Sequence, residues 1–93
     1  MNQAQESSFP LGQLVITAPA NETLNRLDVY AALQKHSHRN WGDCSREDGK
    51  MNDVSVREGF RILSVYRDRY GTRFWIITEA DRSVTTVLLP ADY

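Results

Sequence analysis

"FRILSVYRDRYGTRFWIITEADRSVTTVLLP", Phe60 to Pro90, decides the fold. Three β-rich runs stand in it, Phe60–Asp68, Thr72–Ala80 and Ser83–Pro90, each dense in β-branched and aromatic residues. Arg69-Tyr70-Gly71 separates the first two and Ala80-Asp81-Arg82-Ser83 the last two, and both connectors are turn-formers. Adjacent strands joined by short turns pair antiparallel, so this third of the chain is a three-stranded meander. In the middle run Trp75 and Ile77 share one face while Phe74, Ile76 and Thr78 share the other. Both faces are partly apolar, so helices must cover at least one of them.

The residues upstream supply those helices. From Ala20 to Lys35 the apolar residues Leu24, Leu27, Tyr30, Ala31 and Leu33 recur every three or four positions, the spacing of one amphipathic helix, with Asn21 or Thr23 as its cap. A second helix is expected over Arg46–Glu58, because Ser45 precedes Asp48 by three residues, in a weak form of the capping box, and Gly59 suits the position after the last turn. Trp41-Gly42 forms the corner between them, with Asp43 or Ser45 as the cap. Before the first helix, "QLVIT" (Gln13–Thr17) reads as a short strand that Pro19 stops. Met1–Ser8 is polar and without periodicity and reads as a flexible tail. The order strand, helix, helix, then a three-stranded antiparallel meander gives a small two-layer α+β domain over residues 9–93.

Length and composition narrow the function. The 93 residues make one domain, which at this size buries about 60–65% of its unfolded surface and has little room for a deep cleft. Eleven basic and twelve acidic residues nearly cancel, disfavouring both a phosphate-neutralising surface and a strongly acidic DNA mimic. The single cysteine makes no internal disulfide, and "MNQAQESSF" has neither the basic start nor the apolar run of a signal peptide. No apolar stretch is long enough to cross a bilayer, so a cytoplasmic protein is expected.

Four groups of residues invite a chemical reading. "HSHRNWGDCS" (His36–Ser45) holds His36, His38, Asp43 and Cys44, which are zinc-ligand types, but two histidines two positions apart diverge by about 200° on a helix. Surface histidines at a helix end are the simpler reading, and no metal or cofactor is assigned. Cys44 as a nucleophile would need an acidified thiol, whereas a lone cysteine more often behaves as a small hydrophobe. Trp41 either seals the core between the helices or stands exposed as an aromatic anchor for a protein partner. Together with Asp43, Glu79, Asp81 and Arg82 it makes the expected partner-binding set. Arg67, Arg69 and Arg73, interleaved with Tyr70, would instead suit phosphate contact and base stacking, which is an alternative nucleic-acid surface.

The stretches "LGQLVIT", "NWGD", "REGFRILSVY" and "FWIITEADRSVTTVLLPADY" are spread from Leu11 to Tyr93. By them the chain resembles a family of small bacterial proteins encoded on plasmids and integrative elements, named "plasmid-related protein" or labelled as the M subunit of a type I restriction endonuclease. His36, Trp41, Gly42 and Asp43 fit the family pattern, while His38-Arg39-Asn40 and Cys44 depart from it. The restriction-subunit label does not suit 93 residues, which cannot hold a doubly wound cofactor domain with its glycine-rich loop. The resemblance implies a non-enzymatic accessory protein of a mobile genetic element that binds a host protein complex, in its sharpest form an anti-restriction or anti-CRISPR factor. A nucleic-acid-associated regulator of the element is the alternative, and both a monomer and a homodimer fit.

Overall fold

The computed structural model describes residues 7–93. Their elements, in order, are β1 (Gln13–Ile16), α1 (Ala18–Thr23), α2 (Arg26–Ser37), α3 (Arg46–Glu58), β2 (Ile62–Arg67), β3 (Arg73–Thr78), β4 (Val84–Leu88) and a closing 3-10 turn (Pro90–Asp92). The first six residues of the expected tail lie outside the described residues; Ser8 already donates its N–H to Ser37 O at 2.7 Å. The α+β class and the meander are present: β2 pairs antiparallel with β3, and β3 with β4, with Tyr66 opposite Phe74 and Ile76 opposite Val87. β1 adds in parallel beside β4, Leu14 level with Thr85 and Ile16 with Val87, so the sheet order is β1-β4-β3-β2.

One face of this sheet carries Ile62, Tyr66, Phe74, Ile76 and Val87, and the helices bring Ala20, Leu24, Val29, Ala32 and Leu33 down onto it. Phe74 and Ile76 are fully buried there, and each contributes about 2–3 kcal/mol of apolar burial. The helical layer differs from the expected single helix over residues 20–35. Thr17 turns the chain out of β1 and caps α1, its hydroxyl oxygen accepting from Ala20 N at 3.3 Å, so Pro19 sits in the first helical turn instead of ending the strand. Asn25 then starts α2, accepting from Asp28 N at 3.1 Å while its own N–H donates to Asp68 Oδ2 at 2.9 Å. The caps are therefore Thr17 and Asn25, not Asn21 or Thr23. α3 follows the expectation: Ser45 Oγ accepts from Asp48 N at 3.1 Å, and Gly59 ends the helix at φ +80°.

The two edges of the sheet are treated differently. At the β2 edge the Asn52 side-chain amide behaves like a neighbouring strand, donating to Leu63 O at 2.8 Å and accepting from Leu63 N at 3.3 Å. Two residues on, Asp43 N donates to Val65 O at 2.7 Å and Val65 N to Trp41 O at 3.4 Å. Gly42 permits that approach, because its φ is +68° and a Cβ there would lie 2.1 Å from Val65 O. This edge is sealed against pairing with another chain. At the β1 edge, Gln13 N bonds to Ser83 O, just before β4, and Thr17 N to Val87 O, which by alternation aims the N–H and C=O of Leu14 and Ile16 outward. No hydrogen bond among the described residues takes them.

Candidate functional site

The histidine-rich stretch resolves into core. Trp41 is only 8% exposed, stacks on Phe9 at 6.3 Å and donates its indole N–H to Asp53 Oδ1 at 3.1 Å. The expectation of Trp41 as an exposed anchor is corrected to the sealing alternative. His36, expected at the surface, is 0% exposed, because the helix continues through it and turns it onto the sheet. Its Nδ1 lies 2.5 Å from Ser64 Oγ and its Nε2 2.8 Å from Thr78 Oγ1, which is in turn 2.7 Å from Thr85 Oγ1. Thr85 donates to Leu11 O at 2.6 Å, so donor counting fixes every proton. Thr78 donates to Thr85, the imidazole donates from Nε2 to Thr78, and Nδ1 accepts from Ser64. Burial, with the nearby Arg82 charge, pushes the His36 pKa down to about 3 and keeps the ring neutral. His36 is a structural link between α2, the sheet and the chain before β1.

His38 caps the same helix on the outside. Among the described residues no three His, Cys, Asp or Glu groups converge to hold a metal ion. Cys44 contacts Leu63 O at 3.5 Å, and burial raises its thiol pKa, the opposite of what a nucleophile needs.

The arginine hairpin is largely engaged. Arg69 forks onto Asp28, Nε and Nη2 each donating at 3.0 Å, and this pairing holds the Asp28 carboxyl below its ordinary pKa. Arg67 lies 3.5 Å from Asp43, which joins that candidate partner residue to the hairpin. Arg73 and Tyr70 are exposed. Asp68, between Arg67 and Arg69, is buried and shapes the turn, accepting from Tyr70 N and Thr72 N at 3.0 Å each.

The acidic corner is also mostly architectural. Glu79 lies 3.6 Å from Arg61, and Asp81 folds back on Ser83, whose N–H and hydroxyl lower its pKa. Arg82, at φ +62°, turns inward: Nη1 donates to Phe60 O and Nη2 to Ser55 O, both at 2.7 Å. The guanidinium of Arg82, a residue of the expected partner-binding set, thereby ties the end of α3 to the β3–β4 turn.

What sequence reasoning missed is the β1 side. Leu14 is 55% exposed, Val15 40% and Ile16 38%, and Tyr30 of α2, 56% exposed, lines the same groove. These are four of the nine large hydrophobics exposed among the described residues, and they are contiguous. Between β1 and α2 runs a groove of about 270 Å³, with Leu14, Ile16, Leu24, Val29 and Leu33 along it and Arg26 at its edge. The signal lay in "QLVIT", whose apolar run fits a buried strand and an exposed edge equally well.

No family model matches the chain, and neither a curated protein nor a solved structure does. No helix among the described residues is long and apolar enough to cross a membrane.

Proposed function

We propose that this chain is a non-enzymatic accessory protein of a mobile genetic element that acts by binding a host protein, and that the β1–α2 side is its contact surface. One observation carries the reading: the sheet edge at β2 is sealed by Asn52 and the Trp41–Asp43 loop, while the edge at β1 offers the open backbone groups of Leu14 and Ile16 beside an apolar groove. A segment of a partner protein in extended conformation can add to such an edge through main-chain hydrogen bonds and place alternate side chains in the groove. The sequence resemblance to element-encoded proteins supports a host target, and an anti-restriction or anti-CRISPR role is its sharpest form. The arginine hairpin supports nucleic-acid binding less well, because Arg67 and Arg69 already face Asp43 and Asp28.

Affinity capture from a bacterial host with the wild-type chain and with Leu14→Lys tests the reading. A host protein recovered by the first and lost by the second is expected; identical recovery by both removes β1 as the contact surface. Phage and plasmid survival in hosts with active restriction or CRISPR tests the defence form, and unchanged survival across several systems would end it.

A further inference from the structure

We infer that a second copy of this chain covers the β1–α2 side, forming a two-fold dimer through β1, so that self-pairing and host binding compete for one surface. The inference rests on the proposed reading of that side as the contact surface and adds its resting occupant.

The geometry of β1 is self-complementary. The outward backbone groups belong to Leu14 and Ile16, which flank Val15 symmetrically. A two-fold axis at Val15 sets Leu14 of one copy opposite Ile16 of the other, and each such pair exchanges both N–H···O=C bonds, so the contact closes on itself with four. A shift of one residue would aim bonded and unbonded groups at each other, and a shift of two leaves only one bonded pair within β1, so the axis at Val15 makes the most bonds. The product is one continuous eight-stranded sheet with no open edge, because the β2 edges at its ends are already sealed.

The same axis brings the helices together. A two-fold perpendicular to the sheet keeps both α2 helices on the same face, on either side of the new strand pair. Tyr30 lines the groove together with Leu14 and Val15, so each copy turns its Tyr30 towards the side that the other would cover. Arg26 and Gln34 stand one turn on either side of Tyr30 in α2 and give that contact a polar rim. Leu14, Val15, Ile16 and Tyr30 include no acidic or basic side chain, so no like charges oppose one another along β1. The apolar concentration that is unusual on a monomer becomes an interface core with a polar rim.

Size sets the strength. About ten residues per copy take part, roughly half of the 20–30 a side that bury ~800 Å² in a standard interface. That corresponds to a weak pair, with Kd on the order of 10–100 µM, which a host segment can displace.

Sedimentation equilibrium of the full chain from about 5 µM to about 1 mM reads this equilibrium across the estimated Kd. The wild type is expected to pass from the mass of one chain to that of two. Leu14→Pro removes an N–H that points away from β4 and so leaves the β1–β4 ladder intact. Tyr30→Glu changes a residue that is already exposed and places a carboxylate of each copy in the contact, so it probes the same contact if the proline variant fails to fold. Each is expected to weaken pairing at least about tenfold, Leu14→Pro by removing two of the four main-chain hydrogen bonds and Tyr30→Glu by bringing like charges into the contact. Tyr70→Glu, on the hairpin tip, is expected to leave it unchanged. One-chain mass at every concentration, or a dimer undiminished in both variants, overturns the inference. The two ideas fail separately: a monomeric wild type whose host capture still depends on Leu14 removes only the dimer. A dimer broken by both variants with capture unaffected removes only the host-binding role of this side.

Discussion

His36 gives the most quantitative consequence of the packing. Its folded-state pKa is about 3, whereas an exposed histidine in the unfolded chain titrates near 6.5, so between those values the unfolded chain binds the extra proton. The folded-state pKa of this base is depressed, so its neutral form is part of the fold and stability falls as pH drops through 6.5 towards 3. The loss grows by about 1.4 kcal/mol for each pH unit inside that window, reaching about 2.5 kcal/mol between pH 7 and pH 4.5. Carboxylates titrate over part of the same range, so the comparison needs a partner lacking only the imidazole. His36→Gln keeps one donor and one acceptor towards Ser64 and Thr78 but cannot be protonated. Urea denaturation at pH 7 and pH 4.5, followed by tryptophan fluorescence in a Trp75→Phe background that leaves Trp41 as the one indole, should show the His36 protein losing about 2.5 kcal/mol more than His36→Gln over that interval. Trp41 is a suitable reporter because its ring lies 5.7 Å from the imidazole, edge to face. Equal losses in the two proteins would mean that the ring is protonated in the fold, and the deduced chain from Ser64 to Leu11 would be wrong.

Two further outcomes test the sealed edge. Asn52→Leu keeps the branched side-chain shape but strands the N–H of Leu63 and leaves its C=O only the Cys44 thiol, and should cost about 2–4 kcal/mol in urea denaturation; a cost under about 0.5 kcal/mol would show that water replaces the amide freely. Gly42→Ala and Gly59→Ala separate strain from collision, since both residues have positive φ but only Gly42 has backbone 2.1 Å from where a Cβ would sit. Gly59→Ala should cost about 1 kcal/mol and Gly42→Ala at least about 3 kcal/mol, read from the same denaturation midpoints. Equal costs would refute the close approach of the Gly42 loop to β2.

The parts of this fold that local sequence carries were legible. The meander follows from β-branched runs and turn residues that act within a few positions, and α3 from Ser45 and Gly59 at its own ends. The division of the first helical segment was hidden because it depends on Asp68, 43 residues from the Asn25 N–H that it accepts. His36 was placed at the surface for the same reason: its partners Ser64 and Thr78 are 28 and 42 residues away, and nothing in "QKHSH" announces them. Trp41 left two readings open, and only the position of Asp53 and Phe9 chooses the buried one. Arg82 was named only for a contact surface, and its bonds to Phe60 O and Ser55 O, 22 and 27 residues away, were invisible in its polar turn. The β1 side was illegible in kind, since strand periodicity shows which residues alternate but not whether the strand has a neighbour on both sides.

The open edge at β1 is the claim on which the functional reading stands, and amide hydrogen exchange resolved by NMR tests it residue by residue. In dilute solution, below the self-pairing range, the Leu14 and Ile16 amides should exchange rapidly while those of Leu63 and Val65 are protected, because Asn52 and Trp41 hold the latter. Protection of Leu14 and Ile16 equal to that of Leu63 and Val65 under those conditions would contradict the account, since it would mean that β1 already has a neighbour on its outer side.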